Sequence, residues 1–465
     1  MISNCFLGVY KGLFPDKRIE KRIESAMFDL LSLGTSVINK FAETHSQKIA
    51  LYRMLSNPRF DHEDILEGSF RKCSSSISSN HVLAIQDTTE FNYNSIKKKI
   101  SKLDPDIGPT SVSAVAGYFC HPMLIMDANS SSIFGLSSAI IYNRQWDQKS
   151  KKERNYAQLP IEDKESYRWI QASEETKERI STDVQLTIIG DRENDIYEDF
   201  ERVPDNRTNL LIRSRSDRNI EGDDLKLYNH LDQQEVQGSI EINIPSNTKR
   251  NHRDALLDIK FSSVQIKAPS NYKGTKKSIE LYAIEVKENE KTIPEKELPI
   301  HWRLLTTHKI KNIEQAIQCI NWYKKRWFIE ELFRVIKTKG FAIEDSQLGS
   351  GMALKKLLAM TLEAALHIMR LKLSLSNEAI DAKDIFNDNQ LKLLDILQKK
   401  VEGETLKQKN PYRKYSLAWS CWTLARLASW SGYKSHGPPG YITIKEGFDR
   451  FNSQYEAFLL FQNEK

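Results

Sequence analysis

Two aspartates stand directly after apolar runs. Asp87 follows Val82-Leu83-Ala84-Ile85-Gln86, and Asp191 follows Val184-Gln185-Leu186-Thr187-Ile188-Ile189-Gly190. An acid at the end of a buried strand is held rigidly at the sheet edge, where ligands of open α/β sheets bind. Both also suit a plainer role as turn residue or helix cap, since Thr88-Thr89 and Arg192-Glu193 follow them. A third acid, Glu330, lies in a stretch from Ile313 to about Lys339 that reads as one long helix. At about 100° per residue, Tyr323, Arg326, Glu330 and Lys337 fall within about 60° of one another, while Phe328, Leu332, Val335 and Ile336 form a core face on the other side. A surface ladder of i, i+4 ion pairs has the same spacing, but Tyr and Trp among such charges are unusual. Arg and Lys bind phosphate and carboxylates bind Mg²⁺. The set therefore fits metal-assisted phosphodiester cleavage, in which two ions about 3.5–4 Å apart stabilise the attacking and leaving oxygens. No His or Cys cluster competes for a softer metal, and His45 and His62 match no ligand spacing and read as surface residues.

Positioning these groups needs a sheet and a helix. To about Glu67 the chain reads as helical, with one helix from Asp16 and another near Lys48 that stops at Ser56-Asn57-Pro58. Strands are expected at 82–86, 112–119, 123–126, 133–142, 184–190 and 210–213, with helices at 165–178 and 196–200, the pattern of an α/β layer fold. Between about Ser214 and Trp302 short alternating segments (238–244, 255–264, 279–286) sit among polar turns and read as an all-β insertion. From Lys355 onward the chain reads as helical, interrupted at Gly437-Pro438-Pro439-Gly440.

Composition narrows the class. A chain of 465 residues is long enough for two to four modules, and 40% apolar with 28% charged residues is ordinary for a folded protein. A net charge of +6 does not by itself identify a nucleic-acid partner, but basic clusters recur at 97–99, 149–154, 213–215, 249–250 and 324–326. Five scattered cysteines (Cys5, Cys73, Cys120, Cys319, Cys421) without a Cys-x-x-Cys argue against a disulfide framework or zinc site. The N-terminus lacks a basic stretch followed by an apolar core, so no signal peptide is expected. The most apolar long segment, 355–375, is broken by Glu363, His367, Arg370 and Lys372, so no membrane span is expected either.

The motifs together resemble a known family. Ile85-Gln86-Asp87-Thr88-Thr89, Asp191-Arg192-Glu193-Asn194-Asp195-Ile196 and the Tyr323, Arg326, Glu330, Lys337 set look like the signature of DDE transposases of the insertion-sequence-four family, the last matching its Y-(2)-R-(3)-E-(6)-K motif at every position. Asp16-Lys17-Arg18 and 51–58 are similar to the family's end-binding helical domain, and 417–428 followed by 437–440 to its C-terminal segment. The resemblance implies an RNase H-like catalytic core (68–375) carrying the β-rich insertion (214–305), a helical DNA-end-binding domain (1–67) and a helical dimerisation domain (376–465). It implies a cut-and-paste transposase in the bacterial cytoplasm, associated with the nucleoid, that pairs as a homodimer on transposon-end DNA. Such an enzyme cleaves the ends, through a hairpin, and joins them to target DNA. Asp87, Asp191 and Glu330 would hold two Mg²⁺ ions, or Mn²⁺ as a substitute. Tyr323, Arg326, Arg334 and Lys337 would hold phosphates. Trp302 corresponds to a tryptophan that stacks on a flipped base, with Trp327 a second candidate, and Arg213 and Arg215 correspond to DNA-contacting basic positions. A departure is that the N-terminal helices here are nearly balanced in charge.

Two other classes stay open. A transposase-derived protein that binds DNA ends without cutting, as a repressor or inhibitor, would share the fold. A paired-carboxylate sugar hydrolase would have no use for the basic stripe around Glu330.

Overall fold

The apolar runs that end in Asp87 and Asp191 become neighbouring parallel strands at the centre of one large mixed sheet. In chain order the strands are β1 (His81–Gln86), β2 (Thr89–Asn92), β3 (Gly108–Pro109), β4 (Ala116–Asp127), β5 (Ile133–Tyr142), β6 (Gln185–Gly190), β7 (Thr208–Arg213), β8 (Gly238–Ile244), β9 (Arg253–Lys267), β10 (Ser278–Glu288) and β11 (His301–Thr306). They lie in the order β2-β4-β1-β6-β7-β11-β10-β9-β8, with β3 and β5 also paired to β4. Only β1–β6 and β6–β7 are parallel; the other ladders are antiparallel. The computed structural model describes residues 1–465 except 1–5, 7, 43, 97–99, 101–103, 113–114, 223–225, 245–251, 296, 338–339, 434–435 and 464–465. The basic clusters at 97–99 and 249–250, Cys5, and residues 338–339 at the expected end of the long helix lie outside the described residues.

The helices are α1 (Lys17–Leu33), α2 (Ile38–Phe41), α3 (His45–Leu55), α4 (His62–Ser76), α5 (Tyr167–Arg179), α6 (Tyr197–Arg202), α7 (Leu227–Gln233), α8 (Ile313–Lys324), α9 (Trp327–Ile336), α10 (Gly351–Leu373), α11 (Asp388–Val401), α12 (Leu417–Leu427) and α13 (Tyr441–Asn463). The period-two pleat of the central strands sorts their side chains to opposite faces. Leu83, Ile85, Ile189 and Leu211 join the core beneath α8, α9 and α10. Val82, Ala84, Ile188, Leu210 and Ile212 join a second core beneath α5 and α6. The first core also takes in Leu30, Leu51 and Leu66 from the N-terminal helices and Leu394, Trp419 and Phe451 from the C-terminal ones. Helix α4 runs through residue 67, where the sequence placed the end of the first helical segment.

The expectation of an all-β insertion over 214–305 is corrected in two respects. The segment contains helix α7, whose Leu227 and Leu231, one turn apart, are fully buried against the sheet. Its strands also continue the central sheet rather than forming their own, because β11 returns to pair with β7 through Leu304↔Arg213, Leu305↔Ile212 and Thr306↔Leu211. The strands expected at 112–119 and 123–126 are one strand, β4. C-terminal to α10, helices alternate with irregular segments rather than running unbroken to 437.

Helix α10 buries nearly its whole circumference, including Lys355, Lys356, Glu363 and His367. Burying a charge is costly unless it is paired or hydrogen-bonded, and the two lysines and the glutamate each have such a partner. Glu363 accepts from Lys72 Nζ at 2.7 Å and Arg370 Nη1 at 3.4 Å. Lys355 Nζ reaches Asp106 Oδ1 at 2.8 Å, and Lys356 Nζ donates to the Asn57 carbonyl at 2.6 Å and lies over Phe60. Among the described residues no helix is long and apolar enough to cross a membrane. Cys73, Cys120, Cys319 and Cys421 are free thiols, all buried. His45 is exposed, but His62 is half-buried, and burial lowers its pKa to about 4.

Candidate active site

Strand register brings the two aspartates level. Ile85 pairs with Ile189 in the parallel β1–β6 ladder, so Asp87 and Asp191, each two residues further on, leave the same sheet edge on strands about 4.8 Å apart. Asp87 Oδ1 accepts from the Thr88 amide at 2.7 Å. Asp191 Oδ1 accepts from the Glu193 amide at 2.7 Å and caps the short 3₁₀ turn Arg192–Asn194. The capping role and a place in the site therefore coexist in Asp191.

Glu330 arrives from the first turn of α9. The single helix expected over 313–339 is two helices that stop at Ile336, with a junction at Lys325 and Arg326. There the amides of Lys325, Arg326 and Phe328 bond to the carbonyls of Trp322, Tyr323 and Lys325, three residues back, the spacing of a tightened turn. Lys325 is drawn inward and donates to the Ala128 carbonyl at 2.6 Å. The junction leaves Arg326 between two acids: Nη1 donates to Asp87 Oδ2 at 3.1 Å and Nη2 to Glu330 Oε1.

The electrostatics follow from this crowding. Burial, then the nearby Asp191, push the Asp87 pKa up to about 7; Arg326 and the Thr88 amide oppose the rise, and Glu330 adds to it. Burial works against the charge on Arg326, yet Tyr323, Glu330 and Asp87 hold its pKa above the ordinary value. Asp87 and Glu330 thus share a single cation, while Asp191 and Glu330 both press on Asp87 by like charge. Hard oxygen donors crowded enough to repel are the donor set that suits Mg²⁺. Their arrangement is another matter: among the described residues no three His, Cys, Asp or Glu side chains stand ready to hold one metal ion.

The remaining candidates fall into two groups. Tyr323 is buried, packs edge-on against Trp302 with ring centroids 5.8 Å apart, and its pKa is raised first by burial. Arg213 lies in the field of Tyr323, Arg192 and Arg326, with burial the main cause of its lowered pKa, and it donates to the His301 carbonyl at 3.1 Å. Lys337, the first residue past α9, donates to the Glu90 carbonyl at 2.7 Å, lies over Phe91, and has its pKa lowered by burial. The second group is on the surface. Trp327 is 52% exposed and donates to Glu331 Oε1 at 2.7 Å; Arg334 pairs with the same carboxylate at 3.1 Å and lies beside the Trp327 ring. Arg215 is exposed, its amide donating to Asp195 Oδ2 at 2.7 Å. Of the two tryptophans, Trp327 presents the more open ring.

A polar network behind Asp87 was not apparent from the sequence. Arg168, from the start of α5, donates through Nε to Thr88 Oγ1 at 2.8 Å and through Nη2 to Glu193 Oε2 at 2.9 Å, linking the residues that follow the two aspartates. Thr88 Oγ1 also meets His121 Nδ1 at 2.8 Å, His121 Nε2 meets Gln86 Oε1 at 3.0 Å, and Gln86 reaches Ser173. Burial, with Arg168 nearby, holds the His121 pKa far below its usual range, so the ring is neutral. A polar cleft of about 480 Å³ opens beside Asp87, Thr88, Arg168 and Glu193 and extends to Arg144 and Lys151. The chemistry available to the site is anion binding next to a cluster of oxygen donors. No protein-family model matches the chain.

Proposed function

We propose that the chain is a cut-and-paste DNA transposase of the DDE type, with an RNase H-like core flanked by helical end-binding and dimerisation domains. The observation that carries the reading is that Asp87 and Asp191 leave adjacent parallel strands at one level while Glu330 shares Arg326 with Asp87. Asp87, Asp191 and Glu330 would hold Mg²⁺ or Mn²⁺, which when bound supplies the charge that stabilises the attacking and leaving oxygens of a phosphodiester. Arg326, freed from the two acids, turns to a phosphate of the cleaved strand, where its planar donors make paired bonds. Lys337 and Arg213 bind neighbouring phosphates, and Tyr323 holds Arg326 and Trp302 in place. Trp327 and Arg334 offer an open ring and a cation to a base and the backbone, the pairing that retains single strands. The substrates are transposon-end DNA and target DNA, handled by a homodimer in the cytoplasm.

The test is cleavage of a linear duplex carrying the inverted repeats that flank the coding region, with Mg²⁺ or Mn²⁺, read on a denaturing gel. Wild type is expected to nick the end and form a hairpin, and Asp87→Ala and Glu330→Gln to do neither. Wild-type rates in those variants would overturn the assignment. One observation favours a second reading: the Arg326 bridge closes the space between Asp87 and Glu330, as expected of a DNA-end-binding repressor that no longer cuts. Tight end binding with no cleavage under any divalent ion would select that reading.

A further inference from the structure

Away from the carboxylates, a cavity of about 430 Å³ lies where α4, the β4–β5 turn and the C-terminal half of α10 meet. Its volume is in the range of small-molecule sites, which combine apolar walls with a few convergent polar groups. The walls here include Ile133, Phe134, Leu373 and Leu417, and the polar groups are Lys72, Arg370 and His367. His367 is only 4% exposed, and its Nε2 has no hydrogen-bond partner. A buried polar atom without a partner is uncommon and calls for an explanation. Burial, reinforced by Lys72 and Arg370, pushes the ring's pKa down to about 3, so it is neutral.

Three charged groups act on the ring: Lys72, Arg370 and Glu363. Lys72 and Arg370 both reach one buried carboxylate, Glu363, at 2.7 and 3.4 Å. The carboxylate on the cavity wall itself, Asp384, is exposed to solvent. Arg370 donates to Glu363 and to the carbonyls of Ile133 and Phe134, three bonds of the five that a guanidinium can make.

We infer that this cavity binds a small amphiphilic carboxylate, its head at Arg370 and the unpartnered His367 nitrogen and its apolar body against Ile133, Phe134, Leu373 and Leu417. The site is distinct from the carboxylate cluster, so the test needs no DNA. Octanoate is titrated into the full chain by calorimetry and by thermal shift, beside octanol, which has the same body without charge, and inorganic phosphate, which has charge without a body. Octanoate is expected to bind one site and raise the melting temperature, and octanol and phosphate to bind about tenfold more weakly or not at all. Leu373→Trp, which fills the cavity, is expected to abolish binding. His367→Phe, which removes the nitrogen and keeps the ring, is expected to weaken it about tenfold. Circular dichroism establishes that each variant is folded, and Leu373→Trp decides the matter if His367→Phe is not. No binding of octanoate to wild type at about 1 mM, undiminished binding to folded Leu373→Trp, or equal binding of octanol and octanoate would overturn the inference.

Discussion

Among the places where this molecule brings acids and arginine together out of water, Glu363 and Asp87 solve the problem in opposite ways. At Glu363 one fully buried carboxylate meets two cations, Lys72 and Arg370, and although burial alone would raise its pKa, the pairing leaves it lowered. At Asp87 two carboxylates, Asp87 and Glu330, share one arginine with Asp191 close by, and burial and then Asp191 push the Asp87 pKa up to about 7. The ratio of acids to cations, rather than burial, separates the two. The first arrangement stabilises the charged state of the fold. The second leaves negative charge unmet, as is typical of sites shaped for something other than stability.

The widest separation is expected in activity. Glu330→Gln and Asp87→Ala should cut end cleavage about a thousandfold or more, as loss of preorganised charge at a reacting centre does, while neither lowers stability in urea unfolding. Glu363→Gln should reverse that pattern. It leaves two cations facing a neutral amide in the interior and should lower stability by about 3 kcal/mol in urea unfolding. If Glu363→Gln unfolded at the wild-type midpoint, the contrast between the regions would lose its meaning.

Asp87→Asn should be stabilising, by about 1–2 kcal/mol at pH 8 once solvent screening is allowed for. The sign follows from proton linkage. An acid whose pKa rises from 3.8 unfolded to about 7 folded binds more protons in the folded state between those values, so its penalty grows from about pH 4 to about pH 7 and is full above. The gain from Asn should therefore be present at pH 8 and absent below about pH 4. Glu363 behaves in the opposite sense: with its pKa lowered in the fold, its contribution is present above the unfolded value of 4.5 and is lost as pH falls through the lower folded one. Unfolding curves of wild type, Asp87→Asn and Glu363→Gln from pH 8 down to well below 4.5 would show whether acid relieves one region while it weakens the other. The smallest effect is expected at Trp327→Ala, which should weaken binding of single-stranded DNA by about 1 kcal/mol without shifting either pH profile.

What the sequence conveyed about these regions depended on distance along the chain. An apolar run ending in an acid is a local signal, and it located β1, β6 and the two aspartates. The junction in the α8–α9 segment has no such mark, since Lys325 and Arg326 are good helix formers. It comes from contacts with Ala128 and Asp87, roughly 200 and more residues away in sequence. Arg168 escaped notice for the same reason, because its meaning lies in Thr88, 80 residues earlier. The alternating texture of 238–286 was legible as strands. That they extend the central sheet is decided by the return of β11 to β7, which no pattern within either strand encodes.

That return has a mechanical consequence. Strands β8–β11 join the rest of the sheet through the short β11–β7 seam, in which Arg213 pairs with Leu304 and the next amide, of Ser214, donates to the Arg303 carbonyl at 2.8 Å. The Arg213 guanidinium lies beside Tyr323, which neighbours Arg326. A torque on the outer strands therefore meets Tyr323 from two sides, through the Arg213 rung and through the Trp302 ring on β11, and passes from that phenol to the arginine between the acids, so the wing works as a lever bearing on one side chain.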